Sequence, residues 1–242
     1  MIKLCLDAGH GKSTPGKRSP DGKLLEYKFN REMLKLILIE LEKYKDKIEV
    51  ITTQDPDNDY DLSLLGRCKV ANQNKTDYFI SIHANGFYFK DSNGNYIEKY
   101  NSIKGFETHI ISKGGKAEQL AKQINYSVKN NIPYIVDRGI FVSNFSVLRN
   151  TNMPAILIEC GFYTNDEECK LLSSEAHKSS LSHSIVNGIL NYLQIQIKPV
   201  EENMEKIYKV QVGNFKEYKN ANRLKEELKN KGYDVYIVEE EV

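Results

Sequence analysis

Two histidines, His10 in Asp7-Ala8-Gly9-His10-Gly11 and His83 in Ser81-Ile82-His83-Ala84-Asn85, each stand at the end of an apolar run, with Glu26 between them in sequence. Imidazole nitrogen and carboxylate oxygen are donors that a borderline-soft divalent ion such as zinc accepts readily. A catalytic zinc keeps three protein ligands and leaves a fourth position for water, and two His plus one Glu meet that count. The pattern points to a zinc site built from His10, Glu26 and His83. Taken singly, each histidine could instead be an ordinary hydrogen-bonded residue, and Glu26 a favourable charge at a helix N-terminus. A fourth group, Glu159, closes the run Ile156-Leu157-Ile158. A carboxylate there is costly unless a cation or a reaction uses it. Whether it serves chemistry or pairs with an arginine, Glu159 is expected to be ionised.

The elements that must position these groups read as an α/β domain. Apolar runs at 2–6, 50–52, 78–82, 106–111, 139–142 and 155–159 predict strands, several buried on both faces. Helical spacing is found at 29–44, where Phe29, Met33, Leu36, Ile37, Leu41 and Tyr44 recur on one side, and at 64–74, 116–130 and 176–193. Strands alternating with helices predict a mixed, mainly parallel sheet flanked by helices. Ligands of such sheets gather at strand ends, which is where His10 and His83 fall. Residues 86–104 form a polar, tyrosine-bearing excursion around Asp91-Ser92-Asn93-Gly94-Asn95, read as a hairpin or loop on the rim of the site and a candidate contact surface.

Beyond Leu193 the character changes. Residues 195–205 read as a linker, and 206–242 as a small βαβ unit with strands at 207–212 and 233–238 and a helix at 221–231 closed by Gly232.

In order along the chain, Leu6-Asp7-Ala8-Gly9-His10-Gly11, Glu26 with Asn30, Asp61-Leu62-Ser63-Leu64 with Arg67, Ser81-Ile82-His83-Ala84-Asn85, Gly105-Phe106-Glu107-Thr108, Arg138-Gly139-Ile140, Val147-Leu148-Arg149 and Pro154 to Phe162 resemble the zinc-dependent N-acetylmuramoyl-L-alanine amidases of the amidase 3 type. The resemblance runs through residues 2–193. It implies a hydrolase (EC 3.5.1.28 type) that cuts the amide between N-acetylmuramic acid and L-alanine in peptidoglycan, with His10, Glu26 and His83 on Zn2+ and Glu159 as the catalytic glutamate. Residues 1–194 would be the catalytic domain. Arg67 and Asn85 are expected to support the metal ligands, because zinc-bound imidazole commonly donates its second nitrogen to a fixed acceptor. His109, His177 and His183 are expected to be solvated or hydrogen-bonded.

The opening Tyr208-Lys209-Val210-Gln211-Val212-Gly213-Asn214-Phe215 resembles a SPOR repeat, the peptidoglycan-binding module. A SPOR domain normally contains two such halves, and one half buries little apolar surface alone. Pairing of two chains into a homodimer through 206–242 is therefore expected, with docking on the chain's own catalytic domain as the alternative.

The 242 residues carry a formal net charge of +1, which offers no electrostatic case for nucleic acid or an anionic membrane as partner. No apolar run is long enough to span a bilayer. Met1 to Leu6 lead straight into the His10 motif, which predicts synthesis in the cytoplasm without a signal peptide and action on the wall after release, as an endolysin or autolysin. Cys5, Cys68, Cys160 and Cys169 lack CxxC spacing and are expected to be small buried residues of a reduced compartment. Two other functions fit parts of the pattern: a zinc endopeptidase of the wall, and a wall-binding protein without turnover.

Overall fold

All six apolar runs become strands: β1 (Ile2–Ala8), β2 (Ile48–Thr52), β3 (Tyr78–Asn85), β4 (Phe106–Ile110), β5 (Asp137–Val142) and β6 (Ala155–Phe162). A computed structural model describes residues 1–198, 212–233 and 235–239. In it the strands form one sheet in the order β2-β1-β3-β6-β4-β5. Every neighbouring pair is parallel except β4 with β6. Because β4 and β5 therefore run against the other four, their first residues reach the same end of the sheet as the last residues of β1, β3 and β6.

Helices α1 (Glu26–Glu42), α2 (Leu64–Gln73), α3 (Lys116–Asn131) and α6 (Glu175–Tyr192) match the four helical stretches expected. Ser63 Oγ accepts from Gly66 N and Ser174 Oγ from His177 N, satisfying amides that the first turns of α2 and α6 cannot pair internally. Two short helices, α4 (Ser146–Arg149) and α5 (Asp166–Leu172), were not anticipated, since neither is long enough to show a 3.6-residue period. At the start of α5 the Asn165 side chain accepts from Glu168 N at 3.1 Å.

Alternation along the strands divides the core. Leu4, Leu6, Ala8, Ile80, Ile82, Ile156 and Ile158 pack in one cluster with residues of α1, α3 and α6. Cys5, Phe79 and Leu157 face the other way, against Cys68 and Ala71 of α2 and Val147 and Leu148 of α4. Successive side chains of a strand point to opposite faces. Asp7, Ser81, His83 and Glu159 are in phase with the second set, so they emerge on the α2/α4 side near the strand ends. The four cysteines are free and buried. Among the described residues no helix is long and apolar enough to cross a membrane.

The chain divides into two compact units, Met1–Lys198 and Pro199–Val242. In the second, α7 (Tyr218–Asn230) begins three residues earlier than expected and is closed by Gly232, whose φ is +87° and whose N–H donates to Lys229 O at 2.9 Å. The strand expected at 207–212 lies outside the described residues except for Val212. Val212, Tyr233 and residues 235–238 adopt no strand, so the helix alone of the predicted βαβ unit is present among the described residues.

Candidate metal and catalytic centre

The turn after β1 is bound at three consecutive carbonyls. Ala8 O accepts from Arg31 Nη1 at 2.9 Å and Arg67 Nη1 at 2.6 Å. Gly9 O accepts from Asn30 Nδ2 at 3.0 Å, and His10 O from Arg31 Nη2 at 3.1 Å and Arg67 Nη2 at 3.3 Å. These bonds hold His10 at φ 62°, a left-handed conformation costly for a residue with a Cβ. Gly9 is required for a different reason. A Cβ there would lie 2.1 Å from His83 Cε1, so only glycine lets the two histidines approach.

Arg67 is almost fully buried and sits on Asp7, with Nη1 2.7 Å from Asp7 Oδ1 and Nε donating to Leu62 O at 2.9 Å. Thr53 Oγ1 and Ser81 Oγ donate to the two Asp7 oxygens, each at 2.6 Å. Burial alone would raise the Asp7 pKa, but the Arg67 charge and these hydrogen bonds outweigh it and hold the carboxyl below its usual range.

Glu26, the first residue of α1, is buried with its Oε1 3.0 Å from His83 Nδ1 and 3.3 Å from His10 Nε2. The imidazole rings meet edge to face, centroids 4.8 Å apart. One ligand atom from each of His10, Glu26 and His83 can be chosen so that all lie within 4.8 Å of one another, a possible metal-binding triad. Burial works against ionising Glu26, yet hydrogen bonds from His10 and His83 hold its pKa at about 2. Desolvation pushes His83 down and favours its neutral, metal-ligating form.

Glu159 stands beside His83 on β3 and opposite Glu107 on β4. It lines a cleft of about 500 Å³ together with His10, Lys17, His83 and, on the apolar wall, Leu64 and Phe145. Its surroundings oppose the charge expected from the sequence: burial, reinforced by the negative charge of Glu26, raises its pKa well above the usual carboxylate range. Among the described residues no arginine pairs with it, and its Oε2 has no hydrogen-bond partner.

The supporting shell also differs from expectation. Arg67 braces the backbone of the His10 turn and Asn85 donates to Glu107 Oε1 at 2.8 Å. Neither is bonded to an imidazole. Glu107 further accepts from Arg138 Nε at 2.5 Å and lies 3.1 Å from His109 Nε2. The reversal of β4 and β5 brings Glu107 and Arg138 to this end of the sheet. His177 meets the Tyr134 hydroxyl at 3.0 Å and His183 lies 3.6 Å from Glu40, so neither joins the cluster. Arg31, Thr53 and the role of Ser81 were missed by sequence reading, because their partners are backbone carbonyls or a carboxylate far along the chain.

The sequence matches the N-acetylmuramoyl-L-alanine amidase family over residues 4–191 and the SPOR domain over 204–242. It is 29% identical to N-acetylmuramoyl-L-alanine amidase CwlM of Bacillus licheniformis over 238 residues, covering 98% of this chain and 85% of that protein. The endolysin of Bacillus phage SPP1 is 30% identical over 200 residues, 82% of this chain and 69% of its own length. Among solved structures, an N-acetylmuramoyl-L-alanine amidase from Clostridium difficile 630 superposes with a TM-score of 0.69 at 34% identity, covering 80% of this chain and 97% of that one. With this fold, and with His10, Glu26, His83 and Glu159 gathered at one end of its sheet, the chain belongs to the N-acetylmuramoyl-L-alanine amidase family and carries a region of the SPOR domain family.

Proposed function

We propose that this chain hydrolyses the amide between the lactyl group of N-acetylmuramic acid and L-alanine in peptidoglycan, with zinc held by His10, Glu26 and His83 and Glu159 as general base and acid. The observation that carries the reading is a pair of buried carboxylate oxygens. Glu26 Oε2 and Glu159 Oε2 have no hydrogen-bond partner among the described residues. Lys17 Nζ lies 4.0 Å from Glu26 Oε2, beyond hydrogen-bonding reach, and buried carboxylates so incompletely matched are costly unless a further cation or a reaction uses them. The donor set of two imidazoles and a carboxylate, drawn together before any ion is considered, fits zinc.

Zinc there supplies Lewis acidity, activating water near neutral pH and stabilising negative charge on the scissile carbonyl oxygen. Glu159 takes the proton from the attacking water and delivers it to the alanine nitrogen as the C–N bond breaks. It must be ionised for the first of these steps, and positive charge at the ligand cluster brings its raised pKa back down. The backbone carbonyl of His10 is held by Arg31 and Arg67. Digestion of purified peptidoglycan, with released ends identified by mass spectrometry, tests the assignment. New L-alanine amino termini and free lactyl acids are expected, lost with a chelator and restored by zinc. Cleavage between amino acids would mean an endopeptidase, and retention on the wall with no new ends would mean a binding protein.

The domain plan proposed is a catalytic domain at 1–194, a linker at 195–205 and a SPOR-like half-domain at 206–242 that binds wall and pairs two chains. Support comes from α7, which has no buried residue, and from Phe215, Tyr218, Tyr233, Tyr236 and Val238, all exposed among the described residues. Light scattering on the full chain is expected to give twice the 27.8 kDa chain mass, and a monomer would sink the pairing. The similarity to a phage endolysin favours action on the wall after release from the cell that makes the protein.

A further inference from the structure

The excursion between β3 and β4 is built as a presented surface. Its tip is a hairpin closed by the Lys90–Tyr96 bridge, with Ile97 N donating to Phe89 O at 2.8 Å and Asp91 Oδ1 accepting from Asn93 N and Asn95 N. Phe87, only four residues after His83, is pinned by its own backbone. Its N–H donates to Thr164 Oγ1 at 3.1 Å and its carbonyl accepts from Asn101 Nδ2 at 2.7 Å. Tyr88 turns inward and donates its hydroxyl to Arg18 O at 3.0 Å. The alternation of an extended segment then sends Phe87 and Phe89 to the other side together, edge to face at 5.2 Å between centroids. They are 44% and 50% exposed, and Tyr96 and Ile97 of the returning strand are exposed as well.

Exposed apolar side chains gathered on one hairpin, unlike ones scattered singly, mark a surface that binds something. We infer that Phe87 and Phe89 form a stacking platform for the glycan strand of peptidoglycan, on the sugar side of the scissile amide. This rests on the amidase reading above. The carbon–hydrogen faces of a pyranose ring present slightly positive hydrogens, which suit the negative face of a phenyl ring. Stem peptides bring carboxylates and amines, and the nearest cation on the hairpin, Lys90, already lies over the Tyr96 ring at 4.8 Å. Position agrees with chemistry. Four residues of chain keep Phe87 within about 14 Å of His83, while the cleft lined by Leu64 and Phe145 is formed by α2 and the α4 region. A substrate cut at its sugar-to-peptide amide extends two ways from the metal ligands, and Phe87 and Phe89 lie outside the set of residues that lines the cleft.

The test compares the full chain with the double variant Phe87→Ala/Phe89→Ala, whose fold is checked by circular dichroism. Two soluble substrates are used: a single N-acetylmuramic acid carrying a stem peptide, and a tetrasaccharide of alternating N-acetylglucosamine and N-acetylmuramic acid carrying the same peptide. The wild type is expected to show a KM for the tetrasaccharide about tenfold lower than for the single sugar, and the variant to lose that advantage with kcat on the single sugar within twofold. An advantage retained by the variant, an equal loss on both substrates, or no advantage in the wild type would each overturn the platform. Calorimetric binding of the peptide-free tetrasaccharide gives a second reading without turnover, in which the C-terminal unit is common to both proteins and cancels. If neither substrate is cut by the wild type, the amidase reading fails and this binding comparison alone decides: weaker binding by the variant upholds the platform, and equal binding removes it.

Discussion

Glu159→Gln is expected to lower turnover of peptidoglycan by on the order of 100 to 10,000-fold, the range spanned by removal of a general acid–base group. The same variant should keep its metal. The three clustered donors come from His10, Glu26 and His83, and Glu159 is not among them. It should also keep its stability, because Glu159 Oε2 has no hydrogen-bond partner to lose and a neutral amide removes the cost of ionising a buried group. A melting temperature at or slightly above that of the wild type is therefore expected beside the collapse in rate. Zinc content by mass spectrometry and thermal melting decide it. Loss of metal together with activity would make Glu159 a ligand or a prop for the ligands, and undiminished turnover would remove it from the reaction.

Much of this centre was legible because the family's short phrases carry it. His10 and His83 sit in dense motifs, and Glu159 betrays itself by ending an apolar strand. The strands and long helices followed from hydrophobic period. What escaped reading were properties that depend on how distant segments meet. The direction of β4 is invisible in its sequence, yet that reversal delivers Glu107 and Arg138 to the site. Arg31 acts on the carbonyls of Ala8 and His10, more than twenty residues away, and those carbonyls belong to every residue type alike. The upward pressure on the Glu159 pKa escaped reading for a related reason. Ionisation is set by the sum of burial and neighbouring charges, and both the surrounding strands and Glu26 press it towards the protonated form.

Arg67→Met should produce the largest loss of stability, about 3–5 kcal/mol at neutral pH, the cost of breaking a buried ion pair by removing one partner. Methionine fills much of the space of the arginine stem, so the loss reports chiefly on charge. Asp7 is 1% exposed and would remain in its strand with the hydroxyls of Thr53 and Ser81 and the more distant charge of Arg31 to oppose burial. The dependence on pH gives the argument its sign. In the wild type the Asp7 pKa is depressed below its unfolded value, so its contribution is fully present above pH ~4, and disappears as pH falls through the folded pKa. In the variant burial dominates and the folded pKa rises above the unfolded one, so the contribution becomes a penalty that grows as pH rises through the folded value and vanishes below about pH 4. The gap between the two proteins in urea denaturation should therefore narrow steadily from pH 7 to pH 4. A gap that stays constant over that interval would assign the loss to the carbonyls of Ala8, His10 and Leu62 that Arg67 binds, and not to the stranded charge. Either way Arg67 ties stability to chemistry, since the carbonyl bonds that would be lost are those that hold His10 in its left-handed turn beside Glu26 and His83.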